Sequence, residues 1–400
     1  MDTFPPPHNQ QSPQSARRDA HKQAAAAQAA PAAVTAATAT PASVESSSVP
    51  NADSKENPEP STQVLTSEEL YHHLNLVSRS FAITIPFMKE PLRDQVALAY
   101  LLCRIVDTVE DDANAALNDK ITWLSDISFL ASDNFADEDV LTGLRVRALD
   151  LTKNGGSAPD DVKLLSDLDK AVHLLLTFDD EVKDIICHAV SILAQGMSSS
   201  LRRKREHEEI NSLDDVDNYC YSVAGVVGEM LAELFCVADK KADKKELLEL
   251  AVSFGEGLQL TNILRDRAKD EARGARFLPA TEAEGVLEYV AITQGHLDDA
   301  ISFICELSPT RSAGIRMFCL TNVAMAMTLL RQVSHNPMDP QCNYKISRSK
   351  VKRLFVLCRM AVRSNAALKT LAFVLSFGMK RQRRSARQLR DKVSLWDHYA

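Results

Sequence analysis

Glycine is scarce in this sequence, with 13 among 400 residues, and aromatic side chains make up only 6%. Turn-rich β architectures place glycine at their tight turns, so the scarcity argues against them. No Gly-x-Gly-x-x-Gly follows a strand-like run, and any dinucleotide must therefore bind without a Rossmann unit. The eight cysteines, at 103, 187, 220, 236, 305, 319, 342 and 358, never take Cys-x-x-Cys spacing. Scattered singly through mostly apolar stretches, they read as reduced core thiols of a cytoplasmic protein rather than as metal ligands. Also missing are an uninterrupted apolar run of the roughly 18 residues that span a bilayer and a charged-then-apolar leader, so no transmembrane segment is expected. The net charge of −8 provides no basic excess for nucleic acid. Residues 1–63 lack large apolar side chains almost entirely; being Ala, Pro, Ser, Thr and Gln, they cannot offset the entropy of ordering and are expected to be a disordered tail.

What is present points to helices. Thr66 and Glu69 offer a capping box ahead of "LYHHLNLVSRSF". From there to about Phe377, apolar residues recur three and four apart, as in "LLELAVSFGEGLQLTNIL" and "LTNVAMAMTLLRQV", and no alternating stretch persists. One all-α domain is predicted over residues 64–377, followed by a basic C-terminal tail over 378–400.

Acidic residues then pose a problem. "DTVEDD", residues 107–112, directly follows the apolar run "ALAYLLCRIV". On a helix Asp107 and Asp111 share a face, with Arg104 beside them. Alone, such a cluster reads as a solvated helix end. A second cluster changes that reading: Asn262, Asp266 and Asp270, spaced four and four, advance only about 80° around a helix. Two acidic stripes in a helical core repel each other unless a cation lies between them. Hard oxygen donors, few per helix, suit magnesium, which completes its shell with water and phosphate oxygens. The implied ligand is a diphosphate, and the implied chemistry is ionisation of an allylic diphosphate in an otherwise apolar site.

Four blocks carry a family resemblance: "SRSFAITIP" (78–86), "CRIVDTVEDD" (103–112), "YCYSVAGVVGEM" (219–230) and "LTNILRDRAKDEARGARFLP" (260–279). In order and spacing they resemble the squalene and phytoene synthases, over residues 66 to about 360. The resemblance implies a single isoprenoid-synthase helical domain around a central cavity that condenses two prenyl diphosphates head to head. "ELSPTRSAGIRMFCLTNVAMAMTLLRQVSHNPM" and "YKISRSKVKRLF" resemble the C-terminal third of squalene synthases in particular. That branch implies two farnesyl diphosphates joined through presqualene diphosphate and reduced to squalene by NADPH.

By the same resemblance, Asp107, Glu110 and Asp111 would hold magnesium on one diphosphate, and Asn262, Asp266 and Asp270 on the other. Ser78, Arg79, Arg104 and Arg265 would contact diphosphate oxygens, arginine offering a planar fork. Tyr219 would stand near the reacting carbons and steer the proton lost on cyclopropane formation. Gly225 and Gly228 would permit close approach of a prenyl chain or a neighbouring helix, and Lys345 and Arg348 would bind NADPH. The sequence departs from the family at Lys269, where an acid is usual, and at "CYS" (220–222) and "RFLP" (276–279).

The basic run Lys380–Lys392, with Leu389, Leu395 and Trp396, offers a peripheral membrane contact. Two other functions fit the same residues: a non-reductive family member making presqualene diphosphate, dehydrosqualene or phytoene, and a catalytically silent helical interaction scaffold.

Overall fold

The computed structural model describes residues 63–78, 80–272, 274–341 and 344–398. The expected tail up to residue 62, together with Arg79 and Cys342, lies outside them. Among the described residues every regular element is helical, as the periodicity predicts. In chain order the helices are α1 (Ser67–Val77), α2 (Phe81–Thr84), α3 (Leu92–Asp111), α4 (Leu117–Ser132), α5 (Glu138–Thr152), α6 (Pro159–Ser166), α7 (Leu168–Leu176) and α8 (Asp180–Arg205). They continue with α9 (Leu213–Cys220), α10 (Val226–Ala238), α11 (Lys244–Ala272), α12 (Ala283–Glu306), α13 (Ala313–His335), α14 (Arg348–Ala361), α15 (Asn365–Leu375) and α16 (Ala386–Val393).

The predicted capping box opens α1. Thr66 Oγ1 accepts the Glu69 amide at 3.2 Å, and Glu69 Oε2 accepts the Thr66 amide at 2.9 Å. The long helix α11 lies at the centre, packed by α10, α12, α13 and α16. It can do so because apolar side chains surround it, Leu247, Val252, Phe254, Leu260 and Leu264 all being buried. Its contact with α10 is close enough to need glycine: a Cβ on Gly228 would lie 2.1 Å from the Ala251 carbonyl oxygen.

Helices α9 and α10 are joined without a break by a π-helical turn, Tyr221–Gly225. Such a turn inserts an extra residue into the helical ladder and rotates everything after it. The combined segment Leu213–Ala238, like α13, is long and apolar enough to cross a membrane, but the apolar stretches of the two are 72% and 78% buried inside the fold. Their apolarity is accounted for by the core.

The segment after Phe377 is not a free tail. Helix α16 packs on α11, with Leu389, Val393 and Trp396 buried. Three of the cations expected to face lipid are bound internally: Arg384 is bidentate to Asp217 at 2.7 and 2.5 Å, Arg390 pairs with Glu229 at 2.7 Å, and Lys392 pairs with Asp214 and Asp217. Asp217 and Glu229 are 1% and 0% exposed, so each needs such a partner. The expectation of a lipid-facing tail is therefore corrected: a local basic run was matched by buried acids more than 150 residues earlier in the chain.

Candidate active site

Both acidic motifs stand near the C-terminal ends of their helices, α3 ending at Asp111 and α11 at Ala272. That is the negative end of a helix dipole, where carboxylates are disfavoured and a cation is favoured. Helix α3 has no basic residue in its own last turn. Lys120, from α4, partly compensates by donating to the backbone carbonyls of Glu110 and Asp112, the latter at 3.0 Å.

The acids of the first motif divide into two kinds. Asp112 is buried and structural: its Oδ1 accepts the Asn114 and Ala115 amides at 2.9 Å, and its Oδ2 accepts Ser157 Oγ at 2.6 Å. Asp107, Glu110 and Asp111 have no such partners in the loop. Burial pushes the Asp107 carboxyl up to about 7, with Arg104 opposing and Asp111 and Asp161 adding to the rise. Burial and Asp111 also raise Glu110. These acids share a helix face and are hard to ionise together, which fits a hard divalent cation completed by water and phosphate oxygens.

Arg104 points to a partner the sequence did not reveal. Its Nε and Nη2 bind the two oxygens of Asp161 at 3.0 and 2.8 Å, a bidentate pair with the first turn of α6. Asp107, expected to be its neighbour, acts on it only at longer range. Ser78 is likewise engaged locally, its Oγ accepting the Phe81 amide at 3.0 Å and closing the turn after α1.

The second motif is arranged differently. Asn262 is exposed, Asp266 half-buried and Asp270 buried, so the stripe descends from surface to core. Arg265 binds Asp266 Oδ2 through Nε at 2.9 Å and also through Nη2, while Lys269 Nζ binds Oδ1 at 2.9 Å. Burial alone would raise the Asp266 carboxyl; these two cations outweigh it and hold it below its ordinary value. Here the chain supplies its own positive charge. Among the described residues no three His, Cys, Asp or Glu side chains are gathered in metal-binding geometry.

Tyr219 connects the two motifs. In the last turn of α9 it stacks on Phe277, just beyond the second motif, with ring centroids 4.8 Å apart and planes at 20°. Burial, followed by Glu110, Asp111 and Asp107 of the first motif, raises its phenol well above the ordinary tyrosine range. Phe277 itself lines a small pocket with Asp270, Arg267 and Ile263. The π-helical turn begins two residues after Tyr219 and sets how α10 is rotated relative to the turn of α9 that carries the ring.

The remaining expected residues lie apart from this centre. Gly225 and Gly228 serve helix packing: a Cβ on Gly225 would meet the Tyr221 ring at 2.8 Å, and Gly228 lies against α11. Of the two roles expected for them, close approach of neighbouring protein is the one this geometry accounts for. Lys345 and Arg348 are both exposed and flank Ser347, the N-cap of α14. Asp161, Lys120, Phe277 and the docked segment after Phe377 were not anticipated. Of these, Phe277, inside the quoted "RFLP", and the basic run after Phe377 stood in stretches the sequence had marked, though for other roles.

A family model described as squalene/phytoene synthase matches residues 74–287. The squalene synthase of Schizosaccharomyces pombe is 27% identical over 308 residues, which are 72% of this chain and 64% of that protein. The probable squalene synthase of Neurospora crassa is 28% identical over 357 residues, 84% of this chain and 68% of that protein. The chain thus spans about two thirds of the length of the curated relatives it matches. A solved structure of TcSQS with the ligand BPH1237 superposes with a TM-score of 0.62 at 24% identity, covering 83% of this chain and 99% of the other. At that identity the likeness is one of fold.

Proposed function

The chain belongs to the squalene/phytoene synthase family, and on that premise we propose that it joins two farnesyl diphosphates through presqualene diphosphate and reduces the product to squalene with NADPH. The observation that carries the proposal is the seat of Tyr219, stacked on Phe277 of one motif and under the field of the carboxylates of the other.

Asp107, Glu110 and Asp111 hold magnesium in this reading, because among the described residues no cation is hydrogen-bonded to their carboxylates, whereas Arg265 and Lys269 already bind Asp266. Magnesium when bound supplies stabilisation of charge on the departing diphosphate. At the second motif Arg265 and Lys269 stand ready to contact the other diphosphate from beside Asp266. Tyr219 remains protonated, since burial and the nearby acids both disfavour the phenolate. A neutral phenol donates a hydrogen bond, so it orients the diphosphate oxygen that takes the proton lost on ring closure rather than taking that proton itself. Phe277, stacked on the Tyr219 ring and with Ile263 and Leu278 beside it, is the apolar surface that keeps water from the carbocation. Lys345 and Arg348, exposed and without acidic partners among the described residues, suit the phosphates of NADPH, which supplies the hydride.

The test is incubation with magnesium and farnesyl diphosphate, with and without NADPH, followed by identification of the lipids by mass. Squalene formed only with NADPH is expected. Presqualene diphosphate or dehydrosqualene in both tubes would reject the reductive step and keep the condensation.

A further inference from the structure

Helices α14 and α15 pack against each other, and each leaves an apolar strip facing outward. On α14 the inner face is Leu354, Cys358 and Ala361, while Val356 and Met360 are 60% and 74% exposed. On and just after α15, Phe373 and Phe377 are 57% and 62% exposed, their rings in edge contact at 5.6 Å. Four large apolar side chains this exposed on one helical pair need a cover. Helix α15 is apolar but far too short to cross a bilayer.

The charge around these strips says what covers them. Between Pro340 and Arg390 the sequence holds no aspartate or glutamate, in a chain whose net charge is −8. At the end of that stretch Arg381, Arg384 and Arg390 are paired with Asp298, Asp217 and Glu229. Those on the helical pair are not: Lys350, Lys352, Arg353, Arg359, Arg363 and Lys369 are all exposed, and none forms an ion pair with a described residue. A second copy meeting this face with its own would bring the same cations, so like charge opposes such a pair. An anionic lipid surface satisfies both features, taking the apolar side chains into its headgroup layer and the cations onto its phosphates.

We propose that the α14–α15 pair is a docking face for an anionic bilayer. It uses none of the residues placed in the active site and stands whether or not the squalene reading holds. The full chain is to be sedimented with vesicles of phosphatidylcholine alone and with about 30% phosphatidylserine, at low and high salt. The expected result is pelleting with the anionic vesicles only, lost at high salt. Two variants, V356S/M360S/F373S/F377S and K352E/R359E, are each expected to weaken that binding by roughly tenfold or more, with helical circular dichroism and melting temperature unchanged. Equal pelleting with neutral vesicles, or variants that pellet like the parent, would overturn the proposal. So would a lipid-free protein that sediments as a dimer and becomes monomeric in the fourfold serine variant, since a second copy would then own the face.

Discussion

Asp107 and Asp266 are the same residue type in opposite electrostatic settings, and their variants should differ accordingly. Asp107 lacks a cation of its own, so Asp107→Ala should lower turnover by at least about a hundredfold with the helical fold intact, as read by steady-state kinetics beside circular dichroism. Near-normal turnover in a folded variant would sink the metal assignment. Its carboxyl, raised to about 7, also fixes a pH dependence. A cation needs the ionised form, so magnesium affinity should fall about tenfold per unit as pH drops below about 7, measured by calorimetric titration. The stability sign is opposite: a carboxyl raised above its unfolded value stabilises the metal-free fold at low pH, and that contribution is lost as pH rises through about 7. Asp107→Asn should therefore melt above the parent at about pH 8, with the difference closing toward pH 4. At the second motif, Lys269→Gln releases Asp266 Oδ1, and binding of Mn2+ followed by electron paramagnetic resonance should tighten roughly three- to tenfold. Unchanged or weaker binding would show that Lys269 does not compete with a metal there.

At the scale of elements, the docked C-terminal helix is what keeps the π-helical turn in place. Glu229, 0% exposed, accepts Arg390, Ser394 and the Tyr221 hydroxyl, which in turn accepts the Leu395 amide at 2.7 Å. Arg390→Ala leaves that carboxyl buried and short of a cation, at a cost of about 3–5 kcal/mol. Thermal melting should show the loss, and adding Glu229→Gln should restore part of it; a melting temperature equal to the parent's would mean the segment is not docked in solution. Elements of this kind are where sequence reading reaches its limit. The Thr66–Glu69 box and the 3.6-residue periodicity are encoded within a few residues, and both appear as read. The partners of Arg104, Arg384 and Arg390 lie 57, 167 and 161 positions away, where no local pattern can point. A π-helical turn is equally silent, because a single inserted residue leaves the composition of Leu213–Ala238 unchanged.

For the molecule as a whole, the two motifs were legible as chemistry but not as an assembled site. Their carboxylates could be placed on helix faces by spacing alone; whether a cation gathers them is decided by charges that other elements bring, such as Lys120, Asp161 and Lys269. In the second motif Asp266 is neutralised from within, in the first Asp107 and Glu110 are not, and Tyr219 and Phe277 lie between them. A metal alone therefore gains little, since two of the carboxylates the first motif offers it, Asp107 and Glu110, are reluctant to ionise. A diphosphate alone meets those same acids unscreened. Together each supplies what the other lacks, so magnesium and a non-ionising thio analogue of farnesyl diphosphate should raise the melting temperature by more than the sum of their separate effects. At a hundredfold excess over the dissociation constant the joint stabilisation should approach about 2.7 kcal/mol, a shift of several degrees for a chain of this size. Strictly additive shifts in differential scanning calorimetry would mean that the metal and the diphosphate do not share a site, and the reading of the two acidic motifs as one centre would fail with them.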